Sequence, residues 1–191
     1  LPIVSRRVIT YGFHPDADVR GIDPVSDGET SSCTVRYSIH GVPAGAGEAL
    51  IRLPVPGKHN LQNALAALAV GLEIGVPLDV ILTALDGFHG AERRYQRVDA
   101  GAFTVIDDYG HHPTEIAAVL AAARDGSPER IVAVFQPHRY SRTRDCIDTF
   151  GPALSAADVV VLTDIYAAGE APLDGVSLAA LADAIRPHVG R

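Results

Sequence analysis

From Asn60 to Ile74 the apolar residues Leu61, Leu65, Leu68, Ala69 and Leu72 recur at spacings of three and four. That pattern predicts one helix with a broad apolar face. Gly75-Val76-Pro77 ends it, and Leu78 to Leu85 predicts a second, shorter helix. Upstream the period falls to two. Cys33 to Ile39 alternates as a half-buried antiparallel strand does, and Arg7 to Tyr11 and Ala49 to Val55 read as further strands. Asp16-Ala17-Asp18, Asp23-Pro24 and Ser26-Asp27-Gly28 read as turns by composition. Downstream of a flexible break at Gly87–Gly90, strands and helices alternate. Phe103 to Ile106 predicts a strand and Pro113 to Arg124 a helix with Pro in its first turn. Ile131 to Phe135 predicts a buried parallel strand, Thr143 to Leu154 a helix, and Val159 to Leu162 a strand. Ser177 to Ile185 predicts a last helix, capped by Ser177.

The fold class that follows is α/β. A Rossmann-like domain with a mostly parallel sheet and right-handed crossovers is expected over 93–191. Before it, 1–92 reads as the β-rich and helical end of an α/β nucleotide-binding domain. The chain opens on Leu1, holds no methionine and stops on a helix with no following strand. A piece of a longer protein is the expectation.

Composition narrows the function classes. A net charge of −7 argues against a general nucleic-acid binder, which works by neutralising phosphates. No apolar run approaches the ~20 residues that span a bilayer, so no membrane partner is expected. Cys33 and Cys146 are far apart and form no CxxC pair, which predicts two reduced thiols in a cytoplasmic protein.

Against that acidic background, Phe135-Gln-Pro-His-Arg-Tyr-Ser-Arg-Thr-Arg-Asp145 places Arg139, Arg142 and Arg144 within six positions. They follow directly on a strand, where open α/β sheets bind ligands. Arginine forks hold carboxylate or phosphate bidentately. A solvated basic face is the alternative, but cations at a helix N-terminus are disfavoured by the macrodipole unless something anionic is present. An anion site is therefore the favoured reading. Asp107-Asp-Tyr-Gly-His-His-Pro-Thr-Glu115 follows another apolar stretch in the same way. It reads as a mixed site for a nucleotide and a carboxylate substrate, as a metal site, or as an ordinary turn into a helix. Adjacent side chains on a strand point to opposite faces, so Asp107 and Asp108, and likewise His111 and His112, do not both face one metal. No dedicated protein-only metal site is expected.

At the start of the long helix, His59, Asn60 and Asn63 offer imidazole and amide groups suited to a purine edge, although Asn there is also an ordinary cap. Arg93-Arg94 at the hinge reads either as a ligand contact or as solvated charge.

The order of these pieces resembles the Mur ligase family, in its alanine-adding branch. The matching strings are GKHNLQNALAALAV at 57–70, FHGAERRYQ at 88–96, DDYGHHPTE at 107–115, FQPHRYSRTRD at 135–145, Ala157-Asp158, and DIYAAGEAPLDGV at 164–176. Residues 1–50 match only in texture. The resemblance implies an ATP-dependent amide ligase of peptidoglycan synthesis. The carboxylate of UDP-N-acetylmuramate is phosphorylated to an acyl phosphate, which the amine of L-alanine attacks. It also implies roles. Asn60 and Asn63, with His59 beside them, contact adenine; Arg94 lies near the phosphates, and Asp108 closes on the ribose. Tyr109, His111, Arg139 and Arg142 hold alanine and the anionic intermediate. Arg94, His111, Arg139 and Arg142 are the catalytic candidates, because arginines stabilise charge developing on a transferring phosphoryl group.

The family's Gly-rich phosphate loop, its Mg2+-holding Glu and His, and its UDP-sugar domain are not among these residues. Mg2+ ligands are accordingly expected mainly outside the 191, and the chain is expected to be inactive by itself. Other readings are the family's murein tripeptide-recycling ligase, whose members typically lack the FQPHRYSRTRD string, a non-catalytic nucleotide-binding regulatory module, and a metal hydrolase built on the paired histidines.

Overall fold

The structure is a computed structural model and describes residues 7–41 and 45–190. It separates into two compact units, Leu1–Gly90 and Ala91–Arg191.

The first unit is a four-stranded sheet covered by two helices. β1 (Tyr11–Gly12) runs parallel to β2 (Val19–Ser26). β3 (Ser31–Ser38) and β4 (Ala46–Leu53) follow as antiparallel neighbours. The alternation read in Cys33–Ile39 holds, with Cys33, Val35 and Tyr37 all buried. The 7–11 strand shrinks to its last residue plus Gly12. Asp23-Pro24 is no turn but lies inside β2, where the register with β3 shifts between Ile22 and Val25 and Asp23 takes φ 49°. A bulge of this kind admits proline, because the ladder is already interrupted there.

The predicted long helix is α1 (Lys58–Glu73), with Leu61, Leu65, Leu68 and Leu72 at most 1% exposed. Each such burial is worth about 1.5–3 kcal/mol against leaving the side chain in water. The chain leaves α1 through paired bonds, Gly75 N–H to the Leu72 carbonyl and Val76 N–H to that of Gly71. α2 (Leu78–Asp86) then packs Ile81 into the same core.

The second unit opens with an antiparallel hairpin, β5 (Gln96–Asp99) and β6 (Thr104–Asp107). α3 (Pro113–Asp125), β7 (Val132–Phe135), α4 (Tyr140–Leu154), β8 (Val159–Leu162) and α5 (Leu178–Ile185) follow. The parallel pairing expected of this unit is that of β7 with β8, extended by a bridge between His138 and Tyr166. β6, read as the first strand of the parallel sheet, is instead the return arm of the hairpin. Ile116, Leu120, Phe135, Phe150, Leu154, Leu181 and Ile185 form the core. The run 131–135 is buried on one face only. Ala133 and Phe135 meet the helices, whereas Val134 is 71% exposed on the other face.

A polar clamp closes α3 onto the start of β8. The Asp158 carboxylate accepts from Ile131 N–H and the Arg124 guanidinium, both at 2.6 Å, and Arg124 Nε donates to the Ala156 carbonyl. The Ile131 amide and then Arg124 hold the Asp158 carboxyl below its usual range. No helix among the described residues is long and apolar enough to cross a membrane.

Candidate functional site

The two unusual loops follow β6 and β7, at the carboxyl ends of those strands. Asp107 and Asp108 diverge as the strand argument requires. Asp107 lies 3.6 Å from Arg93 Nε. Asp108 turns back to accept from Tyr95 N–H at 2.8 Å and Gly110 N–H at 2.6 Å. It thereby braces a turn in which Arg93 and Tyr95 both take positive φ, at 55° and 49°. A Cβ at Gly110 would lie 2.7 Å from an Asp108 side-chain oxygen, so any larger residue there would displace that carboxylate.

The turn into α3 is a reciprocal cap. His112 Nδ1 accepts from Thr114 N–H, while Glu115 Oε2 accepts from the backbone N–H of His111 and of His112. Glu115 Oε1 also meets Arg94 at 3.4 Å. Partial burial would raise the Glu115 pKa, but the two amides, His111 and Arg94 outweigh it and hold the carboxyl below its usual range. His112 is thus a capping residue, and His111 is the one of the pair turned to the other loop.

Four rings form a column there. Tyr109 meets His111 edge-on at 5.4 Å, His111 faces His138 at 5.5 Å, and His138 faces Tyr166 at 5.5 Å. The Arg93 guanidinium sits over Tyr109 at 5.0 Å. His111 Nδ1 is 3.0 Å from the Tyr109 carbonyl. A carbonyl only accepts, so Nδ1 carries a proton, and in the neutral ring Nε2 is left with the lone pair. Arg142 donates to His138 Nδ1 at 3.1 Å, so that nitrogen is the acceptor. Burial, then Arg142, His111 and Arg139, push the His138 pKa below its usual value, and Glu170 opposes them.

The arginine trio divides. Arg142 joins the ring column. Arg139 is the N-cap of α4 at φ 74°, with one guanidinium nitrogen 3.8 Å from Glu170. Arg144 pairs with its neighbour Asp145 at 2.8 Å and takes no part. The anion that the α4 N-terminus needs is supplied by the chain itself, through Glu170, which accepts from Ser141 N–H and Oγ–H. Glu170 and His138 went unrecognised as site residues in the sequence, although both lie inside the quoted strings; nothing local marks a glutamate in a loop as a partner for a helix 29 residues away.

In the first unit, Asn60 donates its amide to the Pro56 carbonyl at 2.7 Å, which leaves Oδ1 as an acceptor. Asn63 is exposed one turn on, and His59 is half-buried. Among the described residues no three His, Cys, Asp or Glu side chains converge as a metal site needs.

Residues 93–191 match the family model described as Mur ligase, glutamate ligase domain. The chain belongs to the Mur ligase family. It is 48% identical to UDP-N-acetylmuramate--L-alanine ligase of Bordetella petrii over 97% of its own length and 42% of that protein. Against the ligase of the same name from Delftia acidovorans it is 48% identical, over 94% of its length and 39% of that protein. The crystal structure of UDP-N-acetylmuramate-alanine ligase MurC from Thermotoga maritima superposes with a TM-score of 0.72 at 30% identity, covering 94% of this chain and 37% of that one. The chain thus spans about two fifths of the relatives it matches.

Proposed function

We propose that this chain is the adenine- and amino-acid-handling part of an ATP-dependent ligase that adds L-alanine to UDP-N-acetylmuramate in the cytoplasm, for peptidoglycan synthesis. The observation that carries the proposal is the meeting of Tyr109 and His111 from one strand-end loop with His138 from the other and, through His138, with Arg142 of the first turn of α4. The names of the relatives matched over almost the whole chain support it.

In the proposed reaction a carboxylate oxygen of UDP-N-acetylmuramate attacks the γ-phosphorus of ATP and ADP leaves. The α-amine nitrogen of L-alanine then attacks the acyl carbon, phosphate leaves, and the amine gives up a proton. Arg139 and Arg142 hold the alanine carboxylate and stabilise the oxyanion that forms at the acyl carbon. His111, with its lone pair on Nε2, accepts from the alanine ammonium, and Tyr109 fixes the imidazole through its carbonyl. Arg94 serves the phosphates and Asp108 the ribose side, the latter by way of the braced turn. On the first unit, Asn60 Oδ1, Asn63 and His59 take the purine edge. The magnesium that accompanies ATP keeps several waters and binds through phosphates and carboxylates.

Phosphate release tests this reading. The complete ligase, given ATP and UDP-N-acetylmuramate, should release phosphate with L-alanine and not with murein tripeptide, and the 191-residue chain by itself should release none. Preference for the tripeptide would assign the site to the recycling branch. ATP binding with no release under any condition would make the protein a regulatory module.

A further inference from the structure

α4 begins under strain and without a local cap. Its N-cap residue, Arg139, stands at φ 74°, a region that residues other than glycine seldom enter. The Arg139 side chain makes no cap bond, and neither Tyr140 nor Ser141 nor Arg142 is acidic. The backbone of Arg139 is pinned at both ends. Its N–H donates to the Tyr166 carbonyl at 2.8 Å, and its carbonyl accepts from Thr143 N–H and Oγ–H at 3.1 and 2.8 Å. Its side chain and the first turn of α4 converge on a carboxylate from the loop after β8. Glu170 Oε2 accepts from Ser141 N–H at 2.9 Å, Oε1 accepts from Ser141 Oγ–H at 2.6 Å, and Oε1 lies 3.8 Å from Arg139.

We propose that Glu170 is a positioning residue for amino-acid binding: it fixes Arg139 and the first turn of α4 in the geometry that receives a substrate carboxylate. The inference rests on the amino-acid site proposed above and adds to it a residue that touches no substrate. One carboxylate here satisfies an orphan amide of the helix and also lies within ion-pair range of the Arg139 guanidinium, at 3.8 Å, where its charge draws that side chain toward the first turn. A cap that served only stability would do the first of these alone. Such a cap would leave the relative use of the substrates unchanged.

The experiment compares Glu170→Ala, Glu170→Gln and Arg139→Ala in the complete ligase, reading KM separately for L-alanine and for ATP. Glu170→Ala should raise KM for L-alanine about tenfold, the size of one weakened charge-assisted contact, with KM for ATP moving less than about twofold. Glu170→Gln keeps the shape and one acceptor for Ser141 but loses the charge, so it should show the same selectivity at smaller size. It also decides the matter if the alanine variant does not fold. Equal rises in both KM values, or no rise in either glutamate variant, would overturn the proposal. Arg139→Ala separates the two layers. If it leaves KM for L-alanine unchanged, the amino-acid site itself is misassigned; if it raises that KM while both glutamate variants behave as wild type, only the role of Glu170 falls.

Discussion

Arg142 and Arg144 lie two positions apart in the sequence, and the structure separates their tasks. Arg142 reaches back one turn to His138, while Arg144 Nε bonds the carboxylate of the very next residue. In the complete ligase, Arg142→Ala should cut the rate of L-alanine ligation by roughly one to two orders of magnitude, matching about 1.5–3 kcal/mol for a lost charge-assisted contact. Arg144→Ala should change it by less than about twofold, as expected of an exposed pair. Steady-state kinetics of both variants checks this, and equal effects would return the loop to a solvated basic surface. Arg124 is no such neutral control. It carries the clamp from α3 to Asp158 and the Ala156 carbonyl, so its replacement would act through the fold.

α4 carries the arginine loop at one end and a tight crossing at the other. Phe150 and Leu154 are buried, and Gly151 meets the end of α5: a Cβ there would lie 2.9 Å from the Ala184 carbonyl and would also strike the His188 ring. Helix propensity by itself favours Gly→Ala by about 1 kcal/mol. Overpacking against a backbone oxygen opposes it by about 1–3 kcal/mol, and backbone cannot step aside as a side-chain tip does. Gly151→Ala should therefore lower stability, by an amount up to about 2 kcal/mol. Urea unfolding followed by circular dichroism measures it; a gain in stability would mean that α5 slides freely on α4.

Each unit has its own buried cluster, one formed by residues between Val19 and Ile81 and the other between Ile116 and Ile185. Residues 87–92 between them form neither helix nor strand. Limited proteolysis should accordingly cut first within 87–92 and leave two resistant pieces, close to 1–92 and 93–191. Mass spectrometry of a short digestion reads the sites. First cuts inside α1 or α4 would show that neither cluster holds its unit together.

What the sequence determined by itself is what burial writes locally. A helix that buries one face must repeat its apolar residues every three or four positions, so α1 was legible from spacing, and α2 to α5 from their place between breaks and strands, with α4 beginning three residues earlier than read. Ser177 as cap and Pro113 in a first turn were legible for the same reason, since the need they meet lies within a few residues. The two loops that carry the candidate site residues could be located because they follow apolar strands. Tertiary structure decided what depends on partners distant in the chain. β5, Gln96–Asp99, has no apolar period of its own and is a strand because Thr104–Asp107 folds back onto it. The exposed side of Val132 and Val134 was invisible, because an apolar run does not say how many of its faces are covered. Asp107 and Asp108 look equivalent in sequence, and the strand pleat divides them between Arg93 and the backbone amides of Tyr95 and Gly110. The choice of Arg139 and Arg142 over Arg144, and the arrival of Glu170 at the helix they open, follow from where two loops meet in space, which spacing along one chain does not encode.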